Sequence, residues 1–126
     1  MNKRKIIISI NPEHVENILK GIKKYEFRTK AAKDEIGSII IYETSPVKKV
    51  VAEVEIIDVL SMNPEELWEE TKEYSGISKQ FFDKYFLGRT VAYAYKLGKI
   101  IKFDKPRTLE DFGLTTAPQS YAYVNV

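Results

Sequence analysis

The sequence predicts an α+β domain, a small and mostly antiparallel β-barrel flanked by about three helices. Three observations carry this. Strand patterns outnumber helical ones, in the order β-α-β-β-β-α-α-β-β-β. Most strand patterns follow one another through links too short for a crossover helix, which favours antiparallel pairing over a doubly wound sheet. The longest strand pattern, Lys49 to Leu60, changes parity near Ile56-Ile57, as at a bulge that curves a sheet. Closing such a sheet on itself would remove its exposed edges.

The 126 residues fit one domain, spanning residues 1–126. A chain of this length buries about two thirds of its unfolded surface. Its net charge of +2 is too small to imply a polyanion partner, so any nucleic-acid site has to be a local patch. The chain has no cysteine, which excludes disulfides, thiolate zinc sites and a cysteine nucleophile. Apolar runs such as Ile6-Ile7-Ile8 are far shorter than a membrane span. The basic start, Met1 to Lys5, is not followed by the apolar stretch of a signal peptide. The chain therefore reads as unprocessed, cytoplasmic and without a membrane partner.

Ile6 to Ile10 is a buried strand, and Asn11-Pro12 opens a helix, with Asn placed to cap free N–H groups. Val15, Ile18, Leu19 and Ile22 recur at helical spacing, and Gly21 ends the helix. Lys23 to Arg28 alternates as a strand, with Tyr25 and Phe27 opposite Lys24, Glu26 and Arg28. A polar loop from Thr29 to Glu35 leads to a core strand, Ser38 to Tyr42, and a turn at Ser45-Pro46. After the long strand, Asn63-Pro64-Glu65-Glu66 starts a second helix with acids in its first turn. Leu67, Trp68 and Thr71 face inward on it. Ser78 caps a third helix carrying Phe81, Phe82, Tyr85 and Phe86 on one face. Thr90 to Tyr95 and Lys99 to Phe103 read as two strands around Leu97-Gly98, stopped by Pro106. Leu109 to Gly113 makes one helical turn, and the tail from Tyr121 to Val126 alternates as a last strand.

The densest polar run is Gly21-Ile22-Lys23-Lys24-Tyr25-Glu26-Phe27-Arg28. It offers a rigid guanidinium fork, a carboxylate acceptor and a mobile amine, which together suit a planar polar ligand. It also fits a solvated strand face on which Glu26 and Arg28 merely pair. Strict alternation places Lys24 with Glu26 and Arg28. Lys23 joins them only from a turn after Gly21. A second polar run, Pro118-Gln119-Ser120-Tyr121, could read a base edge or simply turn into an edge strand. The eight tyrosines include Tyr93 with Tyr95 and Tyr121 with Tyr123 at strand parity, a pattern of aromatic platforms or of cross-strand packing. His14 is the one histidine and has neither metal-ligand spacing nor a nucleophile partner around it. No metal, cofactor or phosphate-cradling glycine loop is expected.

Gly21-x-Lys23-x-x-Glu26-x-Arg28 resembles the Gly-x-Lys-x-x-Glu-x-Arg signature of ASCH domains. The lead-in Ile7-Ile8-Ser9-Ile10-Asn11-Pro12 and the C-terminal Ala117-Pro118-Gln119-Ser120-Tyr121 extend the resemblance over nearly the whole chain. It implies a PUA-like barrel, related to PUA, YTH and EVE domains, with a cleft that binds RNA or a modified nucleotide. On that resemblance the cleft is lined by Gly21, Lys23, Lys24, Glu26 and Arg28, faced by Gln119, Ser120 and Tyr121. Some similar domains hydrolyse 4-acetylcytidine with a Lys and a Thr of this loop, and others are ribonucleases. Here Glu26 stands where the hydrolases have Thr, so Lys23 and Glu26 are the catalytic candidates only if the chain is an enzyme. The residues leave open whether it binds alone or also catalyses, and a monomer is the expectation.

Overall fold

The computed structural model describes residues 3–125; the Val126 end of the expected last strand lies outside the described residues. Six strands and three helices follow in the order β1 (Arg4–Ile10), α1 (Pro12–Leu19), β2 (Tyr25–Arg28), β3 (Ile36–Glu43), β4 (Lys49–Met62), α2 (Pro64–Thr71), α3 (Lys79–Tyr85), β5 (Ala92–Arg107) and β6 (Ala122–Val124). Short 3-10 turns sit at Lys72–Tyr74 and Glu110–Phe112. The strands form one sheet ordered β2-β5-β4-β3-β1-β6. All neighbours are antiparallel except β1 and β3. Backbone pairing therefore runs from β2 at one edge to β6 at the other and does not close into a barrel among the described residues.

The parallel pair is buried on both faces, which is why β1 and β3 read as unbroken isoleucine runs rather than alternating ones. Ile6, Ile8, Ile10, Ile39 and Ile41 pack with Val15 and Ile18 of α1 on one side. Ile7 and Ile40 pack with Tyr42, Val50, Phe112 and Val124 on the other. A third cluster joins Phe27 of β2 to Ala92 and Ala94 of β5, Leu67 of α2 and Phe82 and Phe86 of α3.

Five expectations need correction. The two strands around Leu97-Gly98 are one 16-residue strand, β5. Register shifts in β4 beside Ile56 absorb the irregularity opposite Leu97, and the Lys99 N–H is taken by Glu55 Oε1 at 3.3 Å. Pro106 is tolerated because β5 pairs with β2 only between Tyr93 and Lys96, leaving its later outer edge without a partner strand. Asn11 makes no side-chain cap; its Oδ1 accepts from the Thr44 hydroxyl at 3.2 Å instead. Asn63 and Ser78 do cap, accepting from the N–H groups of Glu66 and Phe81. Ile22 lies beyond α1 and is exposed, and Phe81 and Tyr85 face outward while Phe82 and Phe86 are buried. The 100° step of a helix separates those two aromatic stripes.

Among the described residues no helix is long and apolar enough to cross a membrane. If both faces of the β1–β3 pair are core, Ile8→Ala and Ile40→Ala should each cost about 2–5 kcal/mol although they point to opposite sides. Urea unfolding of the two variants checks this, and a near-neutral result for either would show that its face is not packed.

Candidate functional site

The turn after α1 sets the site. Gly21 adopts φ +80°, and the Asn17 carbonyl accepts from both Ile22 and Lys23 N–H groups at 3.0 Å. This tight turn lets Lys23 enter the protein before β2 begins at Tyr25. Lys23 is 3% exposed. Its Nζ donates to the Ser75 carbonyl at 2.8 Å and lies 4.8 Å from the centre of the Phe27 ring. The chain crosses this side chain at Gly76, where φ is +69° and an added Cβ would stand 2.5 Å from Lys23 Cβ. Glycine is required there twice over, for conformation and for space.

Lys23, Glu26 and Arg28 converge on one cavity of about 170 Å³. Ser9, Ile10, Asn11 and His14 come to it from the end of β1 and the start of α1, and Ile77, Phe81 and Tyr85 from the α3 side. Arg28 Nε donates to Glu26 Oε2 at 3.0 Å, and Nη2 lies 2.8 Å from the same oxygen. Arg28 Nη2 also donates to the Ser9 carbonyl at 3.1 Å. These contacts leave Arg28 Nη1 and Glu26 Oε1 without a side-chain partner among the described residues. The site thus offers one donor point, one acceptor point and the remaining N–H groups of Lys23.

Burial pushes the Lys23 amine down to about 8, with Glu26 opposing and Arg28 adding to the shift. His14 is also lowered, first by burial and then by Lys23, so its ring is neutral at pH 7. His14 Nδ1 is buried and has no hydrogen-bond partner. That leaves Nε2 as the ring nitrogen able to engage another group.

The remaining candidates fall elsewhere. Gly21 and Lys24 line a neighbouring depression, and Lys24 Nζ sits 4.3 Å over the Tyr74 ring. Lys23, not Lys24, enters the cavity. Gln119 and Ser120 are exposed and, like Tyr121, do not line it, although the Pro118 carbonyl just before them accepts from Ser9 Oγ at 2.9 Å. Tyr95 and Tyr121 pack with the main core, and Tyr123 stands edge-on to Tyr121 at 5.5 Å. Tyr95 and Tyr123 hydroxyls accept from the Ala32 and Asp34 N–H groups, so these rings brace the β2–β3 loop. Sequence reasoning missed His14 and the aromatics of α3. The signal for the latter was the second stripe, Phe81 and Tyr85, beyond the pair needed for the core. No group of three metal-ligating side chains is found among the described residues.

The buried amine has a consequence for stability. Between about pH 8 and 10.5 the unfolded chain holds a proton on Lys23 that the folded chain has released, so stability rises with pH across that window. Below pH 8 the whole penalty, on the order of 3 kcal/mol, is present. Lys23→Met should abolish that rise. Urea unfolding of both proteins at pH 7 and pH 10 checks it, and an identical pH dependence would contradict the assignment.

Known proteins resemble this chain over most of its length. The ASCH domain profile matches residues 8–107. The chain is 31% identical over 98% of its length to a Ureaplasma parvum ATP synthase subunit alpha, of which it spans 16%. It is 28% identical over 94% of its length to a large ribosomal subunit protein uL22 of the same species, of which it spans 39%. It is 29% identical over 76% of its length to an ASCH domain-containing ribonuclease of Zymomonas mobilis, of which it spans 66%. The crystal structure of ASCH from Zymomonas mobilis superposes with a TM-score of 0.88 at 26% identity, covering 98% of this chain and 90% of that one. With the profile matching residues 8–107 and the fold shared over nearly the whole chain, the chain belongs to the ASCH domain family.

Proposed function

We propose that the cavity binds single-stranded RNA or a modified nucleotide, one nucleotide at a time. The observation that carries this is the meeting of two cations, one carboxylate and a neutral imidazole with aromatic rings at a single concave site. Arg28 Nη1 and Lys23 Nζ would meet a phosphate or base carbonyl. Glu26 Oε1 would accept from a base amino or ring N–H. The small volume admits a base or a phosphate but not a duplex. Gln119, Ser120 and Tyr121 would contribute only through the Pro118 segment at the Ser9 rim. Similarity to an ASCH domain-containing ribonuclease supports an RNA ligand.

A labelled single-stranded RNA should bind at low salt. Two or three phosphate contacts would weaken binding about tenfold between 50 and 200 mM salt. An absence of binding at low salt would sink this reading.

Lys23 favours a second reading, cleavage of the bound strand. With its pKa near 8, about a tenth of the protein carries a neutral amine at pH 7. That amine would take the proton of the ribose 2′-OH as O2′ attacks phosphorus. The P–O5′ bond then breaks and the departing oxygen takes a proton from water, which the Lys23 ammonium replaces, leaving a 2′,3′-cyclic phosphate and a 5′-OH. The cleavage rate should rise about tenfold per pH unit below pH 8 and level off above it, and Lys23→Ala should abolish it. Single-turnover rates on labelled RNA from pH 6 to 9 check this. A rate unchanged in the variant excludes Lys23 as the base.

A further inference from the structure

Phe81 and Tyr85 stand one helical turn apart on the outer face of α3, 48% and 37% exposed. Their rings are parallel to within 9° with centroids 6.4 Å apart. Both line the cavity together with Arg28 and Glu26. Neither is needed for the core, which Phe82 and Phe86 already fill at 1% and 2% exposure. Both rings are nevertheless braced. His14 meets Phe81 edge-on at 5.6 Å, and Phe86 meets Tyr85 edge-on at 4.8 Å. Two fixed, parallel, exposed aromatic faces beside a charged cavity are what an unpaired base stacks on at low entropic cost. The Arg28 and Lys23 cations line the same cavity beside the Glu26 carboxylate. Burial raises the Tyr85 hydroxyl, the Arg28 and Arg89 charges pull it back and the Glu26 charge opposes them, so charges of both signs act here.

We propose that the Phe81–Tyr85 ring pair is a second base subsite, so that the cavity takes a nucleotide within a single-stranded RNA chain rather than a free nucleoside or nucleotide. The inference rests on the nucleotide reading of the cavity and names its substrate class. The base next to the seated nucleotide lies on the two rings, and the phosphate between the two bases passes Arg28.

The test uses the full chain and three probes at low salt. These are a fluorescein-labelled RNA tetranucleotide, the same tetranucleotide with one interior abasic position, and the four nucleoside 5′-monophosphates as competitors. The tetranucleotide should bind at least about tenfold more tightly than the best monophosphate, since a stacked base contributes about that factor or more. Moving the abasic position along the strand should erase most of that ratio at one place. The double variant Phe81→Ala, Tyr85→Ala should erase it too. If the monophosphate binds as tightly as the tetranucleotide, the second subsite is overturned while the nucleotide reading stands. A ratio that survives both the abasic probe and the double variant also overturns it and assigns the rings to another occupant, such as an apolar segment of a protein partner. If no probe binds, the nucleotide reading itself falls and takes the subsite with it.

Discussion

The site depends on how β2 is joined to β1. β6 covers β1 only from Lys5 to Ile7. Beyond that point no strand among the described residues pairs with this edge of β1; Arg28 Nη2 donates to the Ser9 carbonyl instead. A backbone ladder along the same edge would bring β2 within strand-pairing distance and fill the space between them. A side-chain clasp holds the strands at a longer reach, and the cavity is the gap that results, lined by Ser9 to Asn11 on one side and Glu26 to Arg28 on the other. Sheet closure and a binding site here compete for the same backbone groups. The Glu26–Arg28 pair therefore has a structural part as well as a chemical one, because Glu26 fixes the guanidinium that spans the seam.

Helices α2 and α3 complete what the clasp begins. Phe27 anchors them to β2 through edge-on contacts with Phe82 and Phe86, at 5.3 and 6.2 Å. The segment between them lays Ser75 and Gly76 across Lys23. A buried amine with one carbonyl partner and one aromatic face is costly, and a neutral residue of the same length would fit the space with less penalty. The fold tolerates this because the parallel isoleucine pair and its two flanking clusters supply the packing elsewhere. Such an arrangement is typical of positions held for chemistry rather than for stability.

Local chemistry made much of this legible in the sequence. Asn-Pro helix starts, the Gly21 stop and the two-sided isoleucine runs each have a cause within a few residues. The parity change at Ile56-Ile57 also announced the irregular register of β4. The misreadings share a different cause, dependence on a distant neighbour. Leu97-Gly98 looked like a break, but β4 takes up the irregularity across the sheet, where a Cβ on Gly98 would meet Glu55 and Ile57. The parallel β1–β3 pair was hidden because a helix and a strand intervene between its members. At the site, strand parity favoured Lys24, and only the turn geometry after Gly21 decides for Lys23. Phe81 and Tyr85 were read as core because spacing shows which residues share a stripe but not where a buried face ends.

The identity of residue 26 constrains the chemistry further. Among the hydroxyls lining the cavity, Ser9 Oγ is committed to the Pro118 carbonyl, and burial raises the Tyr85 hydroxyl above its ordinary range. Glu26 occupies the position where a threonine would bring another, and its Oε2 is taken by Arg28. A reaction needing a protein alkoxide has no ready donor here. A ligand that brings its own nucleophile requires only a base and a cation, the parts given to Lys23 and Arg28 in the proposed cleavage. The ribose 2′-OH of an RNA chain is such a nucleophile, and it is productive only where a 3′-phosphodiester follows it. The chemistry of the inner cavity and the stacking surface at its rim are separate features of the molecule. On the proposed reading, both ask for a ligand with at least two linked nucleotides.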